Sequence, residues 1–300
     1  MNSRLQHANI VGFYGTFSDV AHVYIVTEYC SGGELWELCK SVGEPEYRAK
    51  VYFSQIIDAV WYMHRMGLVH RDLKAENVLL TSDLQTIKLC DFGSCRDIYN
   101  PHIRGSGTPN RTKRGSSFEH YVGTPNFLSP EAISNTENDC VSDIWSLGCT
   151  FYQILCGIPP FVAGSEYLIY IRVRARDIQI PSKGLSESAI ALINFILQIE
   201  RSERPKFPDI LTHEFFQNLP NRVPEYTSDD KLVRAIVRNN APVPSTHPSQ
   251  YFSDRLALAH TVENWKGKSA PGTGIAIMEH LLPHVPELAL LKQMSDELPT

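Results

Sequence analysis

Two short segments hold the side chains that could handle phosphate. The first is His70-Arg71-Asp72-Leu73-Lys74-Ala75-Glu76-Asn77, and the second is Asp91-Phe92-Gly93. Together they supply two carboxylates, a carboxamide and an ammonium group. A carboxylate can accept a hydrogen bond from an alcohol and take its proton. Carboxylate and amide oxygens are hard ligands suited to Mg2+. An ammonium stabilises the negative charge of a phosphoryl group in transfer. Singly, each residue would be an ordinary turn or cap residue. The set at this spacing brings a base, hard oxygen ligands and a cation together, and Ser129-Pro130-Glu131 follows it.

The elements that must position these groups can be read around them. Residues 10–29 hold two apolar runs split by a turn, which predicts an antiparallel hairpin. Ser31-Gly32-Gly33 breaks the chain, and Glu34 to Lys40 reads as a short helix. From Pro45 to Met66 the pattern is amphipathic, with Tyr52, Ile56, Ala59, Val60 and Met63 on one face and Gly67 at the expected C-cap. Short apolar pieces over residues 68–93 predict small strands around a functional loop. Residues 94–120, rich in Ser, Gly, Pro, Asn and Arg, read as a long loop. Helices are expected near 141–156, 165–174, 186–198 and 207–216. Residues 239–250 read as a linker, with further helices expected at 251–266 and at 275–294, the second interrupted by Pro283 and Pro286.

Composition narrows the class. With 300 residues, 43% hydrophobic and 20% charged, the chain is globular, and its net charge of −5 argues against a dedicated nucleic-acid binder. Seven cysteines with no C-x-x-C pair favour a reducing, cytoplasmic setting over a disulfide framework or structural zinc. The first ten residues do not read as a signal peptide. The uncharged stretch between Asp143 and Glu166 is long enough to span a membrane, but Gln153, Gly157 and Pro159-Pro160 predict a buried helix and a turn. No transmembrane segment is expected.

The loop His70–Asn77 fits H-R-D-L-x-x-x-N at every fixed position, and with Asp91-Phe92-Gly93 and Ser129-Pro130-Glu131 it resembles the eukaryotic protein kinase family over residues 1–217. The resemblance implies an α+β, protein-kinase-like fold: mainly the helical large lobe plus hinge strands. It implies ATP and Mg2+ as cofactors. Asp72 would accept the substrate hydroxyl's proton, Lys74 would stabilise the transferred group, and Asn77 and Asp91 would bind the metal. Lys74 and Gly123-Thr124-Pro125 resemble the Ser/Thr type, with Thr124 beside the substrate hydroxyl. Residues 24–35 are similar to the hinge. On that match Thr27 is the gatekeeper, the backbones of Glu28 and Cys30 bind adenine, Glu34 reaches the ribose, and Leu79 and Cys90 line the purine pocket. Asp143 would hold the catalytic loop, and Glu131 and Arg204 would form a buried ion pair. Residues 121–133, 146–161 and especially 162–173 are similar to the 3-phosphoinositide-dependent protein kinases of the AGC group, which implies protein substrates that are themselves AGC-type kinases.

The sequence also departs from the family. No glycine-rich phosphate loop, V-A-I-K strand or C-helix glutamate is found, so the small lobe is expected to be largely absent. Two readings follow: a piece of an active kinase beginning at an internal methionine, or a half-kinase acting as a binding or scaffold protein. Asp72, Asn77 and Asp91 favour the first. On the first reading Val11, Phe13 and Tyr24 would lie uncovered in an apolar patch. Of the family's hydrophobic-motif pocket, only the wall around Thr16, Phe17 and Val23 is expected. His120 replaces the Ser or Thr that AGC kinases phosphorylate before the aromatic residue, here Tyr121. Either Ser116 or Ser117 substitutes, with Arg71 as the phosphate partner, or activation does not need phosphorylation. No phosphoinositide-binding domain is recognisable in the extension over 218–300, so membrane recruitment by that route is not expected.

Overall fold

The computed structural model describes residues 2–99, 123–134, 139–181, 184–228, 230, 231 and 234. The expected phosphosites Ser116 and Ser117, His120, the linker at 239–250 and the helices at 251–266 and 275–294 lie outside the described residues. The chain divides into two units, one of residues 1–181 with 185–225 and one of 182–184 with 226–300. In the second unit, Thr227 Oγ1 donates to Asp230 Oδ2 at 2.6 Å, and Arg234 lies over the ring of Tyr226.

The first unit opens with an antiparallel hairpin of β1 (Phe13–Ser18) and β2 (Val23–Thr27), paired from Phe13↔Thr27 to Ser18↔Val23. Asp19 closes the turn by accepting the Ala21 and His22 N–H groups. The two apolar runs give the expected strands, and they expose large side chains: Tyr14, Phe17, Val23, Tyr24 and Ile25 all face solvent. Phe17 and Tyr24 stack at 4.7 Å. Val11 corrects the expectation, because it is buried. Its N–H donates to Leu89 O and the Leu89 N–H to Asn9 O, which ties this segment into the large lobe.

Beyond the hairpin, β3 (Gly33–Glu34) leads directly into α1 (Leu35–Cys39), so Glu34 is a strand residue at the helix start rather than its first turn. Helix α2 (Glu46–Arg65) buries Tyr52, Ile56, Ala59, Val60 and Met63 completely, as their spacing demands. Then come β4 (Leu68–Val69), β5 (Val78–Leu80), β6 (Ile87–Leu89) and β7 (Arg96–Asp97). Strands β3, β5 and β6 form one antiparallel sheet, and β4 pairs with β7.

The remaining helices are α3 (Pro130–Ile133), α4 (Cys140–Cys156), α5 (Glu166–Ala175), α6 (Glu187–Ile196) and α7 (Phe207–Leu211). Asp139, Ser165 and Ser186 cap α4, α5 and α6 with their side-chain oxygens. Helix α4 is buried along almost its whole length, which explains its lack of charge after Asp143. Among the described residues, no helix is long and apolar enough to cross a membrane. Helix α7 stops well short of residue 216. His213 Nδ1 accepts the Phe215 N–H and starts a separate turn, Glu214–Phe216, which swings Phe215 against Phe151 and Phe216 against Phe53. The unit continues to Glu225. Val223 is buried and exchanges hydrogen bonds with Gln85, and Arg48 donates to Pro224 O.

Candidate active site

Strand β4 delivers the chain to His70, and Arg71 then adopts a left-handed backbone, φ 72°. That turn is held from below by Asp143 at the start of α4. Its Oδ2 accepts the His70 N–H at 2.8 Å and its Oδ1 the Arg71 N–H at 2.9 Å. His64, from the last turn of α2, puts Nε2 at 2.8 Å from Asp143 Oδ2. Burial by itself would lower the His64 pKa, but hydrogen bonds to Asp143 and Cys140 and the aspartate charge outweigh it and raise it to about 9. Burial likewise works to raise the Asp143 carboxyl, and His64 holds it below its usual value. His70 is fully buried, which lowers its pKa and keeps the ring neutral. It contacts Cys90 O at 3.1 Å and packs edge-on against Phe92.

The structure brings Asp72, Lys74, Asn77 and Thr124 into one hydrogen-bonded cluster. Asp72 Oδ1 accepts the Thr124 N–H at 3.0 Å and the Thr124 hydroxyl at 2.8 Å. Its Oδ2 lies 3.1 Å from Lys74 Nζ and accepts from Asn77 Nδ2 at 3.0 Å. Lys74 Nζ also donates to Thr124 Oγ1 at 2.7 Å. Partial burial pushes the Asp72 carboxyl up, but the Lys74 charge and three side-chain hydrogen bonds win and hold it below the usual range. Asp72 is therefore a carboxylate at neutral pH, able to accept from a hydroxyl.

Asn77 ends a short turn, Ala75–Asn77, and is buried. Its Nδ2 is committed to the Asp72 backbone and carboxylate, while its Oδ1 has no partner among the described residues. Asp91 stands exposed in a left-handed conformation, φ 57°, with Oδ1 accepting the Gly93 N–H. A Cβ on Gly93 would come within 3.1 Å of that oxygen, so the glycine lets the loop fold back on the carboxylate. The unpartnered amide oxygen and the exposed carboxylate are hard donors that would suit Mg2+.

The residues expected at a purine pocket come next. Glu34 and Leu79 are direct cross-strand partners in β3–β5. The Cys90 N–H donates to Asn77 O, which links Cys90 to the turn that ends in Asn77. Burial raises the Cys30 thiol, and it pushes the Cys90 thiol up to about 12. Glu28 donates its N–H to Gly12 O, and its side chain accepts the Gly12 N–H and pairs with Lys88 at 2.9 Å. The Glu28 carbonyl and the Cys30 N–H have no partner among the described residues, so both are open to an adenine edge. Thr27 is exposed at the end of β2 and makes no hydrogen bond with the Asp72 cluster among the described residues. Arg71 Nε is buried without a partner among the described residues. Burial first and Arg96 second lower the Arg71 pKa.

Glu131 and Arg204 form the expected pair, bidentate at 2.6 and 2.8 Å, with Arg204 also over the Trp145 ring. Sequence reasoning missed three supports: His64, the Glu28–Lys88 pair and Gln153. Only Gln153 carried a signal, as a polar residue inside an apolar run.

Residues 1–216 match the protein kinase domain family. This chain belongs to the protein kinase family. It is 35% identical over 281 residues to 3-phosphoinositide-dependent protein kinase 1 of Arabidopsis thaliana, covering 90% of this chain and 55% of that one. It is 38% identical over 218 residues to serine/threonine-protein kinase PDK1 of Cryptococcus neoformans var. grubii, covering 72% and 17%. It is also 36% identical over 232 residues to inactive serine/threonine-protein kinase PLK5 of Mus musculus, covering 76% and 36%. The chain thus spans about half or less of the length of these relatives. Within the kinase domain, the family match covers the Asp72 cluster, the Asp91 turn and the Glu131–Arg204 pair together.

Proposed function

We propose that this chain transfers a phosphoryl group from Mg2+-bound ATP to Ser or Thr hydroxyls of protein substrates, and that those substrates are other AGC-type kinases in cytoplasmic signalling. The observation that carries the reading is the convergence of Asp72, Lys74, Asn77 and Thr124 within hydrogen-bonding distance. Asp72 orients the substrate hydroxyl and takes its proton, in competition with Thr124, which now occupies the same oxygen. Lys74 stabilises charge on the moving group. Asn77 and Asp91 would hold Mg2+, which would supply charge neutralisation on the phosphates. The Glu28 carbonyl and Cys30 N–H take the adenine edge, Thr27 acts as gatekeeper, Glu34 takes the ribose, and Leu79 and Cys90 pack the ring. Residues 1–217 form the kinase domain and residues 218–300 an extension of separate role.

The test is incorporation of labelled phosphate from ATP into an AGC-kinase activation-loop peptide. Incorporation that Asp72→Asn abolishes supports the reading, and none by the wild-type chain refutes it. A second reading, a half-kinase that binds partners without catalysis, is favoured by the apolar side chains exposed on both strands of the β1–β2 hairpin. Thermal shift with Mg2+-ATP separates the two: a formed nucleotide site raises the melting temperature by mass action, and a scaffold is unmoved.

A further inference from the structure

Gln153 sits in the middle of α4 with no exposed surface. A buried amide is costly unless both of its ends are satisfied. Here they are satisfied by the loop that carries the proposed chemistry. Gln153 Oε1 accepts the Ala75 N–H at 2.9 Å, and Nε2 donates to Glu76 Oε2 at 3.1 Å. These are the first two residues of the turn whose third is Asn77. The residue before the turn, Lys74, provides no side-chain cap. The Ala75 N–H is thus an opening donor that the turn cannot satisfy itself, and α4 supplies the acceptor. At its other end the turn is tied by Asn77 Nδ2 to Asp72.

We propose that Gln153 is a positioning residue that fixes the turn Ala75–Asn77 and thereby the place of the Asn77 Oδ1 that meets the metal. Its functional consequence rests on the phosphoryl-transfer reading above; the clamp itself does not. The amide is the group the site needs. A leucine would fill the volume and strand the Ala75 N–H. A glutamate would keep the acceptor and set a second carboxylate against Glu76.

The experiment compares Gln153→Leu and Gln153→Glu with the wild-type chain. Amide hydrogen exchange at Ala75 is read by NMR, and the Mg2+ concentration for half-maximal activity is read at fixed ATP and fixed pH. Gln153→Leu is expected to speed Ala75 exchange and raise the Mg2+ requirement ~10- to 100-fold, the usual effect of losing a residue that orients a metal ligand, while KM for the peptide holds. Gln153→Glu keeps an acceptor for the Ala75 N–H and loses the donor to Glu76, so Ala75 exchange should stay near wild type while the Mg2+ requirement rises. Wild-type Ala75 exchange and an unchanged Mg2+ requirement in a folded variant would overturn the proposal. Should Gln153→Leu fail to fold, Gln153→Glu decides. Should the wild-type chain transfer no phosphate, the functional reading fails, and Ala75 exchange still decides the clamp.

Discussion

His64 Nε2 and Asp143 Oδ2 meet at 2.8 Å in the interior, and the same carboxylate carries the backbone N–H groups of His70 and Arg71. A charged imidazole from α2 and a carboxylate from α4 therefore hold the turn that presents Asp72. The His64 pKa is raised in the folded state to about 9. A raised histidine stabilises the fold fully below its unfolded value of about 6.5, and the contribution fades as pH climbs to about 9.

Urea unfolding across that range should expose the pair. His64→Phe is expected to cost about 3–5 kcal/mol near pH 6, the usual loss when a buried pair is broken. The difference from wild type should shrink steadily toward pH 9. A difference that stays constant with pH would mean that packing, and not charge, is what His64 supplies.

Arg204 and Glu131 make a second test of buried charge. Arg204→Leu leaves Glu131 without its bidentate partner, and about 3–5 kcal/mol of stability should go with it. The double variant Glu131→Leu, Arg204→Leu should recover a large part. Burial works to raise the Glu131 carboxyl and Arg204 holds it low, so its contribution is present above the ordinary glutamate range and lost on acidification. Denaturation midpoints at pH 7 and pH 3.5 read both effects.

Asp72 owes its low pKa, against the push of burial, to the Lys74 charge first and to hydrogen bonds from Thr124, Lys74 and Asn77. Lys74→Met should therefore move the acidic limb of the pH–rate profile upward, besides lowering the rate. Asp72→Asn should cut phosphate transfer by roughly 10²- to 10⁴-fold while leaving ATP affinity nearly unchanged. Rates measured from pH 5 to 8 with equilibrium nucleotide titrations check both.

Gly43 tests the joint between α1 and α4. Its φ is 73°, and a Cβ there would lie 1.8 Å from the Leu155 carbonyl oxygen. Gly43→Ala should cost about 2–4 kcal/mol, combining left-handed strain with a backbone displacement. Gly15, in β1, has open space where a Cβ would go, so Gly15→Ala should shift the urea midpoint little.

Much of the architecture was legible because local patterns and tertiary needs agree. The face of α2 from Tyr52 to Met63 is a period of 3.6 written in apolar residues, and those residues are the core. The α7 expectation overran because periodicity cannot see that His213 Nδ1 restarts the chain in a new turn, aimed at Phe53 and Phe151. Val11 departs from the expected open patch: its side chain is buried, and its backbone is tied to Leu89, far along the chain.

By itself, the sequence determined which groups could do phosphate chemistry, the order in which they come and the periods of the long helices. These depend on side-chain type and on near neighbours. The family resemblance already named Asp143 as a support of the loop, and tertiary structure alone decided that His64 and Gln153 join it. His64 and Asp143 are 79 residues apart, and Ala75 and Gln153 are 78. Each pair meets because α4 runs buried beneath the loop of residues 70–77, where an unpaired charge or amide costs more than folding can spare. Spacing along the chain carries no trace of that demand, since it arises only when the interior closes.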